Sequence, residues 1–180
     1  VRSGLLAALA LTATAGLPTP ASASGIFAAS YGSAMTFTDA LAGTTMTLTF
    51  DGTNYWSCSG GGSGGTRLAQ YTAAGALVGT FAPGIDFRSV FTNQDTAPVY
   101  ARGFASNDIR IQTSPGVFGI DLTLTGGSLD GQSSVVRDST GAELVAMIGG
   151  TVDRWDATTG AYLGSVVLSG FGSLFGEATY

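Results

Sequence analysis

From Thr45 to Phe50 the chain alternates strictly, T-M-T-L-T-F, with Met46, Leu48 and Phe50 on one face and threonines on the other. That period of two predicts a half-buried strand. Asp51-Gly52-Thr53-Asn54 reads as a turn and Tyr55–Cys58 as the returning strand. A glycine loop at Gly60–Gly65 leads to a third strand, Arg67–Tyr71, and a turn at Thr72–Gly75 to a fourth, Ala76–Phe81. The order then recurs. Strands are expected at Phe87–Phe91, Val99–Arg102, Ile109–Ile111 and Val117–Leu124, with a loop at Thr92–Pro98 and a turn at Gln112–Gly116. A third pass gives Ser133–Arg137, Glu143–Ile148, Thr151–Trp155 and Ala161–Leu168. Its middle pair is joined by Gly149-Gly150, a two-residue hairpin signal because the favoured turns need positive φ. Upstream, residues 24–44 are small and polar, with one short candidate strand at Ala34–Thr38.

The chain also repeats itself. R-W-D-A-T-T-G-A-Y-L-G-S-V-V-L-S-G at Arg154–Gly170 aligns without a gap on R-I-Q-T-S-P-G-V-F-G-I-D-L-T-L-T-G at Arg110–Gly126, 44 residues earlier. A looser copy, Q-Y-T-A-A-G-A-L-V-G-T-F, lies at Gln70–Phe81. Four short antiparallel strands in a unit of about 40–45 residues is the arithmetic of a β-propeller blade. The expectation is therefore an all-β propeller with blades at about 45–86, 87–130 and 131–170 and a partial one at 24–44. Fewer than four units fit, against the usual four to eight. The chain is thus expected to be part of a longer propeller, or to close its ring with another copy.

Composition narrows the partners. Charged residues are 11%, there is no histidine, and the 7 basic residues are all arginine. A formal net charge of −5 carries no electrostatic footprint for nucleic acid. The 28 glycines suit many tight turns. Arg2, the apolar run Leu5–Leu17, Pro18, Pro20 and Ala21-Ser22-Ala23 read as a signal peptide over 1–23, which predicts a secreted, extracellular or periplasmic protein with no membrane span. Val1 fits a GTG start codon read literally, which points to a bacterial gene. Cys58 is the single cysteine, so no internal disulfide forms.

The turn Asp156-Ala157-Thr158-Thr159-Gly160 contains D-x-x-T-G, where Asp accepts backbone N–H groups and Gly takes positive φ. It resembles the repeat core of bacterial quinoprotein-type propellers, and of YVTN-like and WD40-like propellers in general. Arg154 and Gly164 stand where the quinoprotein docking motif has Ala and Trp, and the other copies lack the D-x-x-T-G. The resemblance implies the propeller fold. It also implies a rival to a binding module, namely part of a propeller enzyme (a quinoprotein-like dehydrogenase or a metal-dependent lyase or hydrolase) whose site lies in further blades. Without histidine and lysine, Ser-His-Asp, Cys-His, histidine-zinc and Schiff-base chemistry are excluded within the sequence. No D-x-D-x-D-G calcium loop or phosphate loop is present, and no cofactor, Ca²⁺ or quinone, is expected. The reading is an exported, non-catalytic module for an extracellular protein or glycan, with Gly60–Gly65 and Thr92–Pro98 as contact loops. Arg67, Arg110 and Arg154 are the candidates to hold an anionic ligand, against pairing with aspartates or snorkelling to solvent. Trp56 and Trp155 are candidate ligand platforms, against packing within the blades.

Overall fold

The computed structural model describes residues 35–41 and 43–168. The expected signal peptide falls outside the described residues. Twelve strands form three four-stranded antiparallel meanders, and there is no helix among the described residues. Sheet one holds β1 (Thr45–Phe50), β2 (Asn54–Ser59), β3 (Leu68–Thr72) and β4 (Leu77–Phe81). Sheet two holds β5 (Phe87–Asn93), β6 (Thr96–Gly103), β7 (Asp108–Ser114) and β8 (Val117–Thr123). Sheet three holds β9 (Val136–Arg137), β10 (Glu143–Ile148), β11 (Thr151–Asp156) and β12 (Tyr162–Val167). Among the described residues no helix is long and apolar enough to cross a membrane.

Sheets one and two each bury two faces, which is why β2 and β6 lose their alternation. One core cluster, with Trp56, Cys58, Leu68, Phe87, Val90, Val99 and Ala101, joins sheets one and two. A second, with Phe91, Ile109, Leu144, Ala146 and Trp155, joins sheets two and three. Residues 87–91 are buried throughout, Arg88 and Ser89 included.

The junctions share a device. The turn between the third and fourth strands of each sheet ends in a glycine at positive φ: Gly75 (+80°), Gly116 (+76°) and Gly160 (+71°). A Cβ on Gly116 would stand 2.6 Å from Phe81 of sheet one, and one on Gly160 would strike the Thr123 carbonyl and Leu122 of sheet two. In sheet one the same place on Gly75 is filled by Phe37, 3.1 Å from such a Cβ. Residues 35–41 therefore do for sheet one what a preceding fourth strand does for the other two.

That segment is fastened by Asp39. Its carboxylate accepts from Tyr71 OH (2.7 Å), Ser57 Oγ (2.9 Å), Thr45 Oγ1 (2.5 Å) and the Leu41 N–H (3.2 Å). Burial alone would raise its pKa, but these hydrogen bonds outweigh it and hold the carboxyl below its usual value. A depressed folded-state pKa contributes stability that is complete above the unfolded value of about 3.9 and is lost as pH falls through the folded one. Asp39→Asn should cost about 1–3 kcal/mol at pH 7, and the loss should shrink as the wild type is acidified. Urea midpoints at pH 7 and pH 3 check this.

Several expectations need correction. Residues 35–38 form no strand, because the segment packs by side chains instead of pairing into sheet one. The expected loop at Thr92–Pro98 is a two-residue hairpin, with Gln94 (φ +52°) and Asp95 (φ +54°) supplying the left-handed pair without a glycine. The Gln112–Gly116 turn shortens to Pro115-Gly116, since β7 pairs with β8 as far as Ser114. The strand expected at Ser133–Arg137 is only Val136–Arg137. Ser133 and Ser134 instead serve the linker from sheet two, with Ser134 Oγ donating to the Arg88 carbonyl at 2.9 Å. Leu48, expected on a buried face, is 50% exposed. Here a bulge between Thr45 and Thr47 resets β1, and the threonines face sheet two.

Candidate functional site

The first strands of the three sheets lie side by side in chain order, β1 against β5 and β5 against β9. Short hydroxyl side chains hold them there. Thr47 Oγ1 accepts from the Val90 N–H at 2.7 Å. Thr92 Oγ1 donates to the Phe50 carbonyl at 3.0 Å and lies 3.2 Å from Thr49 Oγ1. The Val135 N–H donates to Ser89 Oγ at 3.2 Å. Threonine and serine suit this role because their hydroxyls both donate and accept close to the backbone.

Between these strands is a cavity of about 360 Å³. Thr47, Leu48 and Thr49 line it from β1, Val90–Thr92 from β5, and Val136 and Arg137 from β9. Gln94, Asp95, Asp138 and Ser139 form its rim. The rim is built by the first hairpin turns of sheets two and three, with the sheet-one turn packed against them. A Cβ on Gly52 would be 2.9 Å from the Asp95 carbonyl, one on Gly141 would strike Asn93 Oδ1, and Gln94 Nε2 donates to the Ser139 carbonyl at 2.5 Å. The turns thus brace one another and fix the opening.

The carboxylates on the rim, Asp95 and Asp138, and in the neighbouring sheet-one turn, Asp51, differ in what they are free to do. Asp51 accepts from the Thr53 and Asn54 N–H groups and from Trp56 Nε1 at 2.6 Å. Asp138 accepts from Thr140 Oγ1 at 2.6 Å and from the Glu143 N–H at 2.9 Å, and these bonds lower its pKa despite some burial. The Asp95 carboxylate has no hydrogen-bond partner among the described residues. Arg137 lies 4.7 Å over the Tyr100 ring and donates Nη1–H to the Gly141 carbonyl, while its buried Nε has no partner among the described residues. Cys58 is no nucleophile: burial raises its thiol to about 11, so it stays protonated beside Thr47.

None of the five residues singled out from sequence lines this cavity. Arg67 donates to the Gly64 and Gly60 carbonyls at 2.9 Å and ties down the glycine loop. Arg154 forms a two-pronged ion pair with Glu143 across β10 and β11. Trp56 and Trp155 are 2% and 0% exposed, Trp155 packing on Tyr162 with ring centroids 5.7 Å apart. Arg110 alone of the three arginines has no partner among the described residues, and it lines a different pocket. The two expected contact loops lie at opposite ends of the sheets, since one is a first-to-second and the other a second-to-third connection. Sequence reasoning missed the first-strand threonines, whose alternation looked like an ordinary solvent face. Among the described residues no three acidic or cysteine side chains gather as a metal would require. The aspartate of the D-x-x-T-G turn, Asp156, is spent on its own backbone, accepting from the N–H groups of Thr158 and Thr159. Compared with known proteins, the chain matches no family model, and no curated protein matches it.

Proposed function

We propose that the three sheets are blades of a β-propeller and that the protein is an exported, non-catalytic binding module for an extracellular protein or glycan. The cavity enclosed by all three first strands carries this reading, because a propeller's innermost strands line its channel. The repeated glycine junction supports it, as does the stepwise packing of sheet on sheet. A further copy or further blades would complete the ring. The ligand is taken at the rim, where the exposed Asp95 carboxylate offers an unused acceptor beside apolar Leu48 and Val136.

The test is a ligand-observed NMR screen of the purified chain against oligosaccharides and short peptides. Leu48→Trp should fill the opening with little cost to the fold, since Leu48 is half exposed. Hits should lose affinity at least tenfold in this variant. Hits that bind it unchanged, or that the protein converts to product, defeat the reading.

A further inference from the structure

We infer that a second site, at the opposite end of the sheets from the cavity rim, binds a carboxylate-bearing sugar through Arg110. Arg67, Arg102 and Arg137 are bound to backbone carbonyls, and Arg88 and Arg154 are paired with acids. Arg110, half-buried on β7, has no hydrogen-bonding or ionic partner among the described residues. Since the chain has no lysine or histidine, it is the one uncommitted cationic side chain among the described residues.

Arg110 faces a pocket of about 250 Å³ with Ser63 from the glycine loop, Gly84 and Asp86 from the link between sheets, and Phe104 and Ser106 from the β6–β7 turn. The nearby acids already have partners, Asp86 an arginine and Asp108 a hydroxyl. Asp86 takes Arg88 Nη1 at 2.8 Å and the Gly61 N–H at 3.0 Å, and these bonds, against the effect of burial, lower its pKa. Asp108, two positions from Arg110 on its strand, takes Thr123 Oγ1 at 2.7 Å. An anion at Arg110 therefore meets a guanidinium whose fork is free for bidentate pairing.

The remaining wall selects what carries the anion. Phe104 keeps 48% of its surface exposed while the Arg88 guanidinium lies 4.7 Å from its ring centre. An aromatic surface suits the apolar face of a sugar ring. The hydroxyls of Ser63 and Ser106 and the outer lone pairs of Asp86 suit sugar hydroxyls, whereas an apolar carboxylate would leave them unmatched. The pocket is smaller than the ~300–1,000 Å³ that encloses drug-sized ligands. It holds one sugar acid, free or at the end of a chain.

Isothermal titration of the purified chain with glucuronate at low salt, with glucose as the neutral control, tests this assignment. Glucuronate should bind at least tenfold more tightly than glucose and weaken with added salt. Arg110→Gln, which removes no hydrogen bond or ion pair among the described residues and should melt like the wild type, should weaken glucuronate at least tenfold. Arg110→Lys should recover part of the loss. Absent glucuronate binding, parity with glucose, or an Arg110→Gln affinity within twofold of wild type each overturns the site. Leu48→Trp should leave glucuronate binding unchanged, so failure here and failure at the cavity are separately visible.

Discussion

Arg102→Met should lower the unfolding free energy by about 3–4 kcal/mol, among the largest effects of any side-chain change in this molecule. Arg102 is 1% exposed, yet among the described residues it faces no carboxylate in an ion pair. Its guanidinium instead donates to three backbone carbonyls, those of Ser106 (2.8 Å), Asp130 (2.6 Å) and Ser133. Burial pushes its pKa down to about 10, with Asp130 pulling the other way and Arg88 adding to the fall, so it stays charged at neutral pH. The three carbonyls belong to the β6–β7 turn and to the linker that carries the chain from sheet two to sheet three. One side chain thus supplies the donors that an irregular connection cannot find in a sheet ladder. Methionine keeps the stem's packing and strands the carbonyls. Lysine keeps the charge, but its compact ammonium cannot span the fork, and an intermediate loss is expected. At roughly 2–4 °C per kcal/mol the methionine variant should melt about 10 °C low. Urea unfolding of the three proteins decides it. A loss under 1 kcal/mol would mean that water reaches the linker and replaces the arginine.

Arg102 also marks the limit of what the sequence discloses. Strand after strand was legible because turn chemistry and local alternation are read over four to eight residues. β1 and β10 have the expected ends, and Gly149 and Gly150 take the positive φ values of +57° and +88° that their hairpin requires. The Arg110–Arg154 repeat fell on equivalent positions, with Arg110 opposite Ile120 and Arg154 opposite Gly164 in their sheets. What stayed hidden depends on contacts between units. Nothing local tells that Arg102 reaches 31 residues ahead to Ser133, or that Thr47 bonds Val90 43 residues on. For the same reason the arginines chosen for their recurrence proved mostly structural, while the cavity is lined by threonines that resemble any polar face. Gln94-Asp95 hid its hairpin because left-handed turns are normally announced by Asn-Gly or Gly.

Gly160→Ala should cost about 3–4 kcal/mol, whereas Gly149→Ala should cost only about 1 kcal/mol, although both glycines sit in turns at positive φ. The conformational penalty is common to the two. The difference is the neighbour. Nothing lies within 4 Å of a Cβ on Gly149, whereas one on Gly160 would strike the Thr123 carbonyl, a backbone group that cannot rotate aside. Relief requires sheet three to retreat from sheet two. That would break the Thr125 N–H bond to the Gly160 carbonyl (2.9 Å) and the parallel bridge between Thr125 and Ala161. Gly116→Ala presses on Phe81 instead, a side chain with some freedom, and should fall between the two. Equilibrium urea unfolding of the three variants therefore ranks the contacts by how firmly the preceding sheet resists. If all three lose the same 1 kcal/mol, the glycines matter only for their turns. If Gly160→Ala loses the most, the turn glycine is where one sheet is seated on the next, and each added sheet is stabilised by its predecessor.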